Sequence, residues 1–207
     1  MTKRYDQYCP IAHSLDLIGD RWSLMVVREL MRGPKRYTDL VDGLPGIGTN
    51  VLATRLRDLE THGILVRTTL APPAASKVYE LTDYGRDLEP VMHELGQWGA
   101  RSLGPPSSGP PLFQGWLGNA LNCAMAPLAP DGRFEFRVGD EVASLIDGEV
   151  HDGSIDDPDV IVEADPDGIY WMFNQRNTEH VSVTGDRDLL DSLLQVTPRA
   201  VEATVAG

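Results

Sequence analysis

Residues 38–81 read TDLVDGLPGIGTNVLATRLRDLETHGILVRTTLAPPAASKVYEL, and this stretch decides the fold of the first half of the chain. Thr38 can cap a short helix that ends at residues 44–48, where two glycines and a proline favour a turn. Thr49 is a good cap for the next helix, and Gly63 is a good stop. The sequence therefore predicts two helices separated by a tight turn.

Two β-favouring runs follow the second helix, at residues 64–70 and 77–81. The six residues between them are small or are prolines, which predicts a hairpin with a small tip. Helix, turn, helix and hairpin in this order are typical of a winged helix-turn-helix, which places its second helix in the DNA major groove. We therefore expect sequence-specific binding to double-stranded DNA.

The helix after residue 49 has two different faces at about 100° per residue. Leu52, Leu56 and Leu59 stack on one side, and polar residues lie on the other. Asparagine and arginine can make bidentate contacts with base edges, and threonine suits phosphates or thymine methyl groups. The predicted DNA-binding residues are Thr38, Thr49, Asn50, Thr54, Arg57 and, on the hairpin, Lys77. The alternative is that the helix residues form an ordinary solvated face.

Further helices are predicted on both sides of this stretch. One covers residues 11–18 after Pro10, and Asp20 can cap the next, which Gly33-Pro34 ends. Thr82 can cap a last helix with a long apolar stripe formed by Leu88, Val91, Met92, Leu95 and Trp98. Because a short domain has little use for such a stripe on its own, we expect a homodimer formed through this helix.

The charge is divided unevenly between the halves of the chain. Up to residue 104 there are 13 Lys and Arg and 13 Asp and Glu. Residues 105–207 hold 5 and 18, so they carry the whole net charge of −13. Phosphate repels such an acidic segment, which assigns DNA contact to the first half.

The composition changes at residues 104–111, which contain four prolines and two glycines. This predicts a linker between a domain of residues 1–103 and a domain of residues 112–207. The second domain has an α+β pattern. It begins with a mild helix at 112–125 and has strands at 134–138, 141–146, 160–164 and around Val181, with helices after Asp165 and Asp186. The predicted fold class is α+β.

The N-terminus is polar with no apolar run behind it, and no segment approaches the roughly 18 apolar residues of a membrane span. We therefore expect a cytoplasmic protein without membrane contact. Two cysteines, Cys9 and Cys123, are too few for a disulfide framework.

Several motifs of the first half resemble, in order, those of the HxlR family of bacterial transcription regulators. They are Cys9-Pro10, LIGDRWS at 17–23, RYTDL at 36–40, residues 52–67 and YELT at 79–82. The resemblance covers nearly all of residues 5–103. It implies a winged-helix homodimer, similar in shape to MarR regulators, that binds palindrome-like operators through residues 49–61. The hairpin tip departs from the family pattern, because prolines and alanines at 72–75 replace charged residues, which argues against strong minor-groove contact there.

The second half resembles the sterol-carrier-protein family of lipid-binding domains. The resemblance rests on FEFRV at 134–138, DPDVIV at 157–162, the 165–173 helix, and VSVTGD at 181–186 leading into 189–194. It implies a sheet and helices around an apolar tunnel for a hydrophobic small-molecule effector. The lining candidates are large apolar residues: Phe134, Phe136, Trp171, Met172 and Phe173. The alternative for each is an ordinary place in the core.

Cys9 is a candidate redox sensor. It lies just before a predicted helix, and Arg4 is close in sequence; helix N-termini and cations both favour a thiolate. Some regulators similar to this family use a cysteine at this position as a thiol sensor. The alternative is a small packed residue that covers the core.

Catalysis and metal binding have little support in the sequence. The five histidines show no ligand spacing, and no nucleophile-base pattern or phosphate loop is present. Acidic pairs such as Asp156-Asp157 are typical of solvated turns. We expect no enzyme activity, no metal and no cofactor.

The main hypothesis is a DNA-binding transcriptional repressor whose C-terminal domain binds an apolar effector and thereby biases the recognition helices. A second interpretation is a thiol switch at Cys9 with a purely structural C-terminal domain. A third is a lipid carrier or enzyme with an incidental DNA-binding-like module.

Overall fold

The computed structural model describes residues 4–71, 73, 75–109, 111–124 and 129–196. They form two compact units, one up to Met92 and one from His93 onward. The compact units therefore divide before the proline-rich segment. The predicted domain limits of 1–103, 104–111 and 112–207 stay a prediction. The α+β class is confirmed, since helices and strands occur in both units.

Four helices begin the first unit: α1 (Pro10–Ile18), α2 (Ser23–Met31), α3 (Tyr37–Gly43) and α4 (Thr49–Thr61). They share one hydrophobic core, to which each of the four helices contributes side chains. The leucine face of α4 behaves as predicted, because Leu52, Leu56 and Leu59 are all buried.

The helices α3 and α4 begin slightly away from their predicted caps. Arg36 precedes α3, and its backbone N–H donates to the Asp39 carboxylate at 2.9 Å, so the predicted cap at Thr38 is wrong and Thr38 lies inside the helix. Gly48 precedes α4, and Thr49 is the first helical residue. The prediction placed the caps on the residues with the best capping side chains, but the backbone enters each helix earlier.

A β-hairpin follows α4. Its strands β1 (Leu65–Thr69) and β2 (Lys77–Leu81) pair antiparallel, with Leu65 opposite Leu81, and both leucines are part of the core. Gly63 has a φ of +71°, a conformation that glycine adopts without strain. The predicted end of α4 is therefore confirmed, and the predicted hairpin is present in the described residues.

The helix expected after Thr82 is two helices, α5 (Asp83–Arg86) and α6 (Glu89–Ala100). The break has a local cause. Pro90 has no backbone N–H and so cannot bond the carbonyl of Arg86, which ends one helix and starts the next. The cap itself is confirmed, since the Gly85 backbone N–H donates to Thr82 Oγ1 at 3.0 Å.

The second unit contains a five-stranded sheet and three α-helices beyond residue 112 among the described residues. The elements are α7 (Trp116–Ala124), β3 (Arg133–Val138), β4 (Glu141–Ile146), β5 (Glu149–Asp152), β6 (Val160–Ala164), α8 (Pro166–Gln175), β7 (Val181–Gly185) and α9 (Arg187–Val196). The strand order is β5-β4-β3-β6-β7, with β3 and β6 parallel and every other pair antiparallel. Strand β5 was not predicted.

Acidic side chains hold parts of the second unit together. The Glu141 carboxylate accepts backbone N–H bonds from Gly115 at 2.6 Å and Leu117 at 3.0 Å, and so secures the start of α7. Glu135 is buried in β3 and pairs with Arg137 at 2.6 Å. Hydrogen bonds from Arg137 to Glu135 and Glu163 raise the pKa of this guanidinium above its ordinary value.

Part of the segment predicted as a linker is ordered by hydrogen bonds within the second unit. Residues 106–108 form a single turn of 3₁₀ helix. The Ser107 backbone N–H donates to the Asp167 carboxylate of α8 at 2.9 Å, and the Ser107 hydroxyl donates to the same carboxylate. A 3₁₀ turn of this length tolerates proline at its start.

Within the described part of the chain, no helix is long and apolar enough to cross a membrane.

Thr82 lies between β2 and α5 and also holds the residues before β1. Its hydroxyl accepts from the Gly85 backbone N–H and donates to the Gly63 carbonyl at 2.6 Å. We expect Thr82→Ala to lower the free energy of unfolding by about 1–2 kcal/mol, since both bonds are lost. Urea unfolding followed by circular dichroism measures the change. Thr82→Ser keeps the hydroxyl and is the control; equal losses in the two variants would contradict the capping role.

Candidate nucleic-acid interface

The exposed side of α4 is the candidate DNA-binding surface. Burial of Leu52, Leu56 and Leu59 turns the opposite side of the helix outward, and Asn50 and Arg57 are exposed there. No described carboxylate pairs with Arg57, so its guanidinium has its donors available in the part of the chain that the structure describes.

The turn between α3 and α4 is held from both sides. Leu44 is buried, and the Ile47 backbone N–H donates to its carbonyl at 3.1 Å. The Tyr37 hydroxyl donates to the Thr49 carbonyl at 2.9 Å, which joins the start of α3 to the start of α4. Tyr37 was not among the predicted site residues, and this long-range bond has no signal in the sequence.

The six predicted DNA-binding residues all lie in the first unit. Five are exposed: Thr38 on α3, Thr49, Asn50 and Arg57 on α4, and Lys77 at the start of β2. Thr54 is half-buried, and its hydroxyl donates to the Asn50 carbonyl at 2.8 Å. This bond turns the Thr54 hydroxyl toward its own helix, which leaves its methyl group for an apolar contact.

The predicted cap of α2 at Asp20 is wrong. The predicted cap Asp20 pairs with Arg55, and the residue that precedes α2 is Trp22, at a φ of +82°. Arg55 also pairs with Asp58 at 3.2 Å. The pair with Asp20 connects α4 to the segment before α2, whereas Arg55 and Asp58 both lie on α4.

The hairpin presents two cations. Lys77 and Arg67 are both exposed, and the Arg67 guanidinium lies 5.7 Å from the centre of the Tyr79 ring, which supports it. The two prolines and two alanines predicted at the tip fall partly outside the described residues, because Pro72 and Ala74 are not described.

Cys9 directly precedes α1, as predicted. Its side chain is half-buried and forms no disulfide with any described residue. Arg4, the cation expected near it, lies 4.0 Å from the Asp16 carboxylate. The side chain of Cys123 lies outside the described residues.

The predicted effector-binding residues have different surroundings in the second unit. Phe134, Phe136 and Met172 are fully buried in its core, and Trp171 is half-buried with its ring against that of Tyr170, at 4.9 Å between centres. Only Phe173, of these five, lines a cavity beside α7 and α8. Three of the candidates therefore occupy the ordinary core positions that the sequence left open as the alternative.

No group of three or more acidic, histidine or cysteine side chains among the described residues could hold a metal ion.

The HxlR-like helix-turn-helix family model matches residues 17–106. The transcriptional regulator sll1512 of Synechocystis is 46% identical over 91 residues, which are 42% of this chain and 67% of that protein. The regulator YodB of Bacillus subtilis is 35% identical over 91 residues, or 44% of this chain and 81% of YodB, and YdeP of the same species is 33% identical over 93 residues, or 45% and 73%.

These relatives are helix-turn-helix transcriptional regulators, a class of protein without enzymatic activity, which agrees with the absence of any catalytic pattern in the sequence. The matched residues include α2, α3, α4 and the hairpin, the elements that form the surface described above. The chain therefore belongs to the HxlR-like helix-turn-helix family of bacterial transcriptional regulators.

Proposed function

We propose that the first unit binds operator DNA by inserting α4 into the major groove, and that it acts as a repressor in the cytoplasm. The observation that carries this proposal is the exposure of Asn50 and Arg57 opposite the buried leucines of α4. Both side chains can make bidentate hydrogen bonds with bases, asparagine with adenine and arginine with guanine. An exposed threonine at each helix start, Thr38 and Thr49, suits contact with phosphate.

The hairpin has a different role in this proposal. Lys77 and Arg67 lie on neighbouring strands, and their charges suit the phosphate backbone beside the groove. Contacts of this kind position the protein without reading the sequence. Base readout is therefore assigned to α4, and backbone contact to the hairpin.

We expect Arg57→Ala to relax base preference at one operator position and to weaken operator binding by about 1–3 kcal/mol. Lys77→Ala should weaken all DNA sequences alike and reduce the slope of log K against log salt by about one. Fluorescence anisotropy with the DNA upstream of the protein's own gene, and with a shuffled duplex, measures both.

The control variant is Arg187→Ala, which removes the same charge from α9 of the second unit. It should bind operator like the wild type. An unchanged base preference in Arg57→Ala would contradict the assigned readout.

We also propose that the regulator is a homodimer formed through α6. Met92 is buried and Leu88 packs on the core of the first unit, so part of the predicted stripe is used within one chain. Val91, Leu95 and Trp98 form the adjoining edge of the same stripe at helical spacing and are 52%, 43% and 69% exposed. Large apolar side chains left in water at this spacing are typical of a protein–protein interface.

Trp98→Glu should convert the dimer to a monomer of 22.7 kDa, because it places a charge at the most exposed residue of this apolar strip. Light scattering after gel filtration measures the mass. Val196→Glu adds the same charge at another exposed apolar residue, at the end of α9, and should leave the dimer intact. A wild-type chain that is monomeric at micromolar concentration would refute the proposal.

The effector proposal concerns the second unit, which we propose is a sterol-carrier-like domain that binds an apolar small molecule. Its order of helix, three antiparallel strands, a crossover to a parallel strand and two further helices supports the resemblance seen in the sequence. The cavity beside α7 and α8 gives such a molecule a place. Binding there would bias the operator affinity of the first unit only if the ligand distinguishes two states of the protein.

The thiol switch at Cys9 is the alternative signal input. It is supported by the position of Cys9, which is half-buried, forms no disulfide with a described residue and directly precedes α1. We expect diamide to lower operator affinity at least about tenfold in the wild type if the switch operates, with no effect on Cys9→Ser. Operator titration at increasing diamide measures the response. Equal responses in the two proteins would remove Cys9 as the sensor.

A further inference from the structure

The second unit contains a cavity of about 220 Å³ that is partly open to solvent. Its walls come from the last turn of α6, from residues 103–106, Gly109 and Leu112, and from α7 and α8. They are almost wholly apolar, with Trp116 and Leu117 from α7 and Ile169 and Phe173 from α8. The Ser107–Asp167 hydrogen bonds hold the 3₁₀ turn of residues 106–108, next to this wall, against α8. The cavity therefore has a defined shape within this unit.

One cation is among the described residues that line this apolar cavity. Arg101, just beyond the end of α6, is among its lining residues and is exposed. Asn174 also lines the cavity, but its amide donates to the Tyr170 carbonyl at 3.2 Å. Arg101 has no carboxylate partner among the residues that the structure describes.

Other arginines of this unit are used to hold its structure. Arg137 pairs with Glu135 and Glu163, Arg133 donates to the carbonyls of residues 156 and 157, and Arg176 donates to the Phe173 carbonyl. Arg101 differs from these, because it lies beside an apolar cavity in a strongly acidic unit. A positive charge next to an apolar wall selects a ligand with an apolar body and an anionic head.

The volume limits the size of that ligand. A cavity of about 150 Å³ holds benzene, so about ten non-hydrogen atoms of a ligand fit inside the present one. A sterol is far larger than this space. A short-chain or aromatic carboxylate fits both the volume and the charge.

We propose that this cavity binds an amphipathic monocarboxylate of about ten non-hydrogen atoms, with its apolar body between α7 and α8 and its carboxylate on Arg101. The inference deepens the proposed function, since it names the chemical class of the effector. It also differs from the sequence-based expectation, because the end of α6 and Arg101 lie outside residues 112–207.

The test compares octanoate with octanamide, which has the same chain and number of non-hydrogen atoms but no charge. Isothermal titration of the full chain should show octanoate binding about fivefold tighter. Arg101→Gln should abolish this preference, and Arg187→Gln, which removes the same charge elsewhere in the unit, should keep it. 3-Phenylpropanoate, of similar size, distinguishes an aromatic from an aliphatic body.

A second variant tests the location. Ala120 lines the cavity but is not part of the buried core, so Ala120→Trp should fill the space and weaken octanoate and octanamide alike by about tenfold or more. Ala120→Ser is its matched control and should bind both ligands normally. Circular dichroism confirms that each variant is folded.

Equal affinity for octanoate and octanamide would overturn the assignment of Arg101, and unchanged affinity in Ala120→Trp would overturn the site. Failure of the wider function has a different signature. If octanoate binds with the expected dependence on Arg101 but operator affinity does not change, the cavity assignment stands and the effector role is wrong.

Discussion

The burial of three leucines along α4 is the constraint on which the exposed polar surface of this helix depends. Taking each leucine out of water is worth about 1.5–3 kcal/mol, whereas one exposed polar contact contributes about 1 kcal/mol or less. Rotating α4 about its axis would therefore lose more free energy from exposing the leucines than a new polar contact could contribute. Burial of Leu52, Leu56 and Leu59 fixes the orientation of the helix. Asn50 and Arg57 lie on the opposite face and therefore point outward.

Burial of large apolar side chains also organises the second unit, where it uses the predicted ligand-binding residues for the core. Phe134 and Phe136 lie on β3, at the centre of the sheet, and α8 covers them with Met172 and Phe173. Their rings contact one another within the core, at 6.4 Å between Phe134 and Phe136 and 5.9 Å between Phe136 and Phe173. The large apolar side chains build the core of this unit, and the cavity lies beside that core, between α7, α8 and residues 103–109.

Local patterns in the sequence predicted the elements that local physics controls. The leucine spacing of α4, the glycine that ends it, the hairpin and the Thr82 cap all depend on residues within a few positions of one another. Pro90 also carries a local signal for the break between α5 and α6, which the continuous apolar stripe concealed. Strand β5 has only four residues, of which one is apolar, and it forms because its backbone pairs antiparallel with β4. No periodicity could have revealed it.

The sequence by itself determined the family, the two faces of α4 and the division of charge between the halves, because these depend on residue type, order and spacing. Only the tertiary structure decided which side chains are free to bind. Asp20 is engaged by Arg55, 35 positions away, and Ser107 by Asp167, 60 positions away. Phe134 and Arg101 show the consequence most clearly. A large apolar residue that looks like a binding residue is buried in the core, and an arginine without any motif stands at the cavity, since burial and proximity are set by contacts between distant parts of the chain.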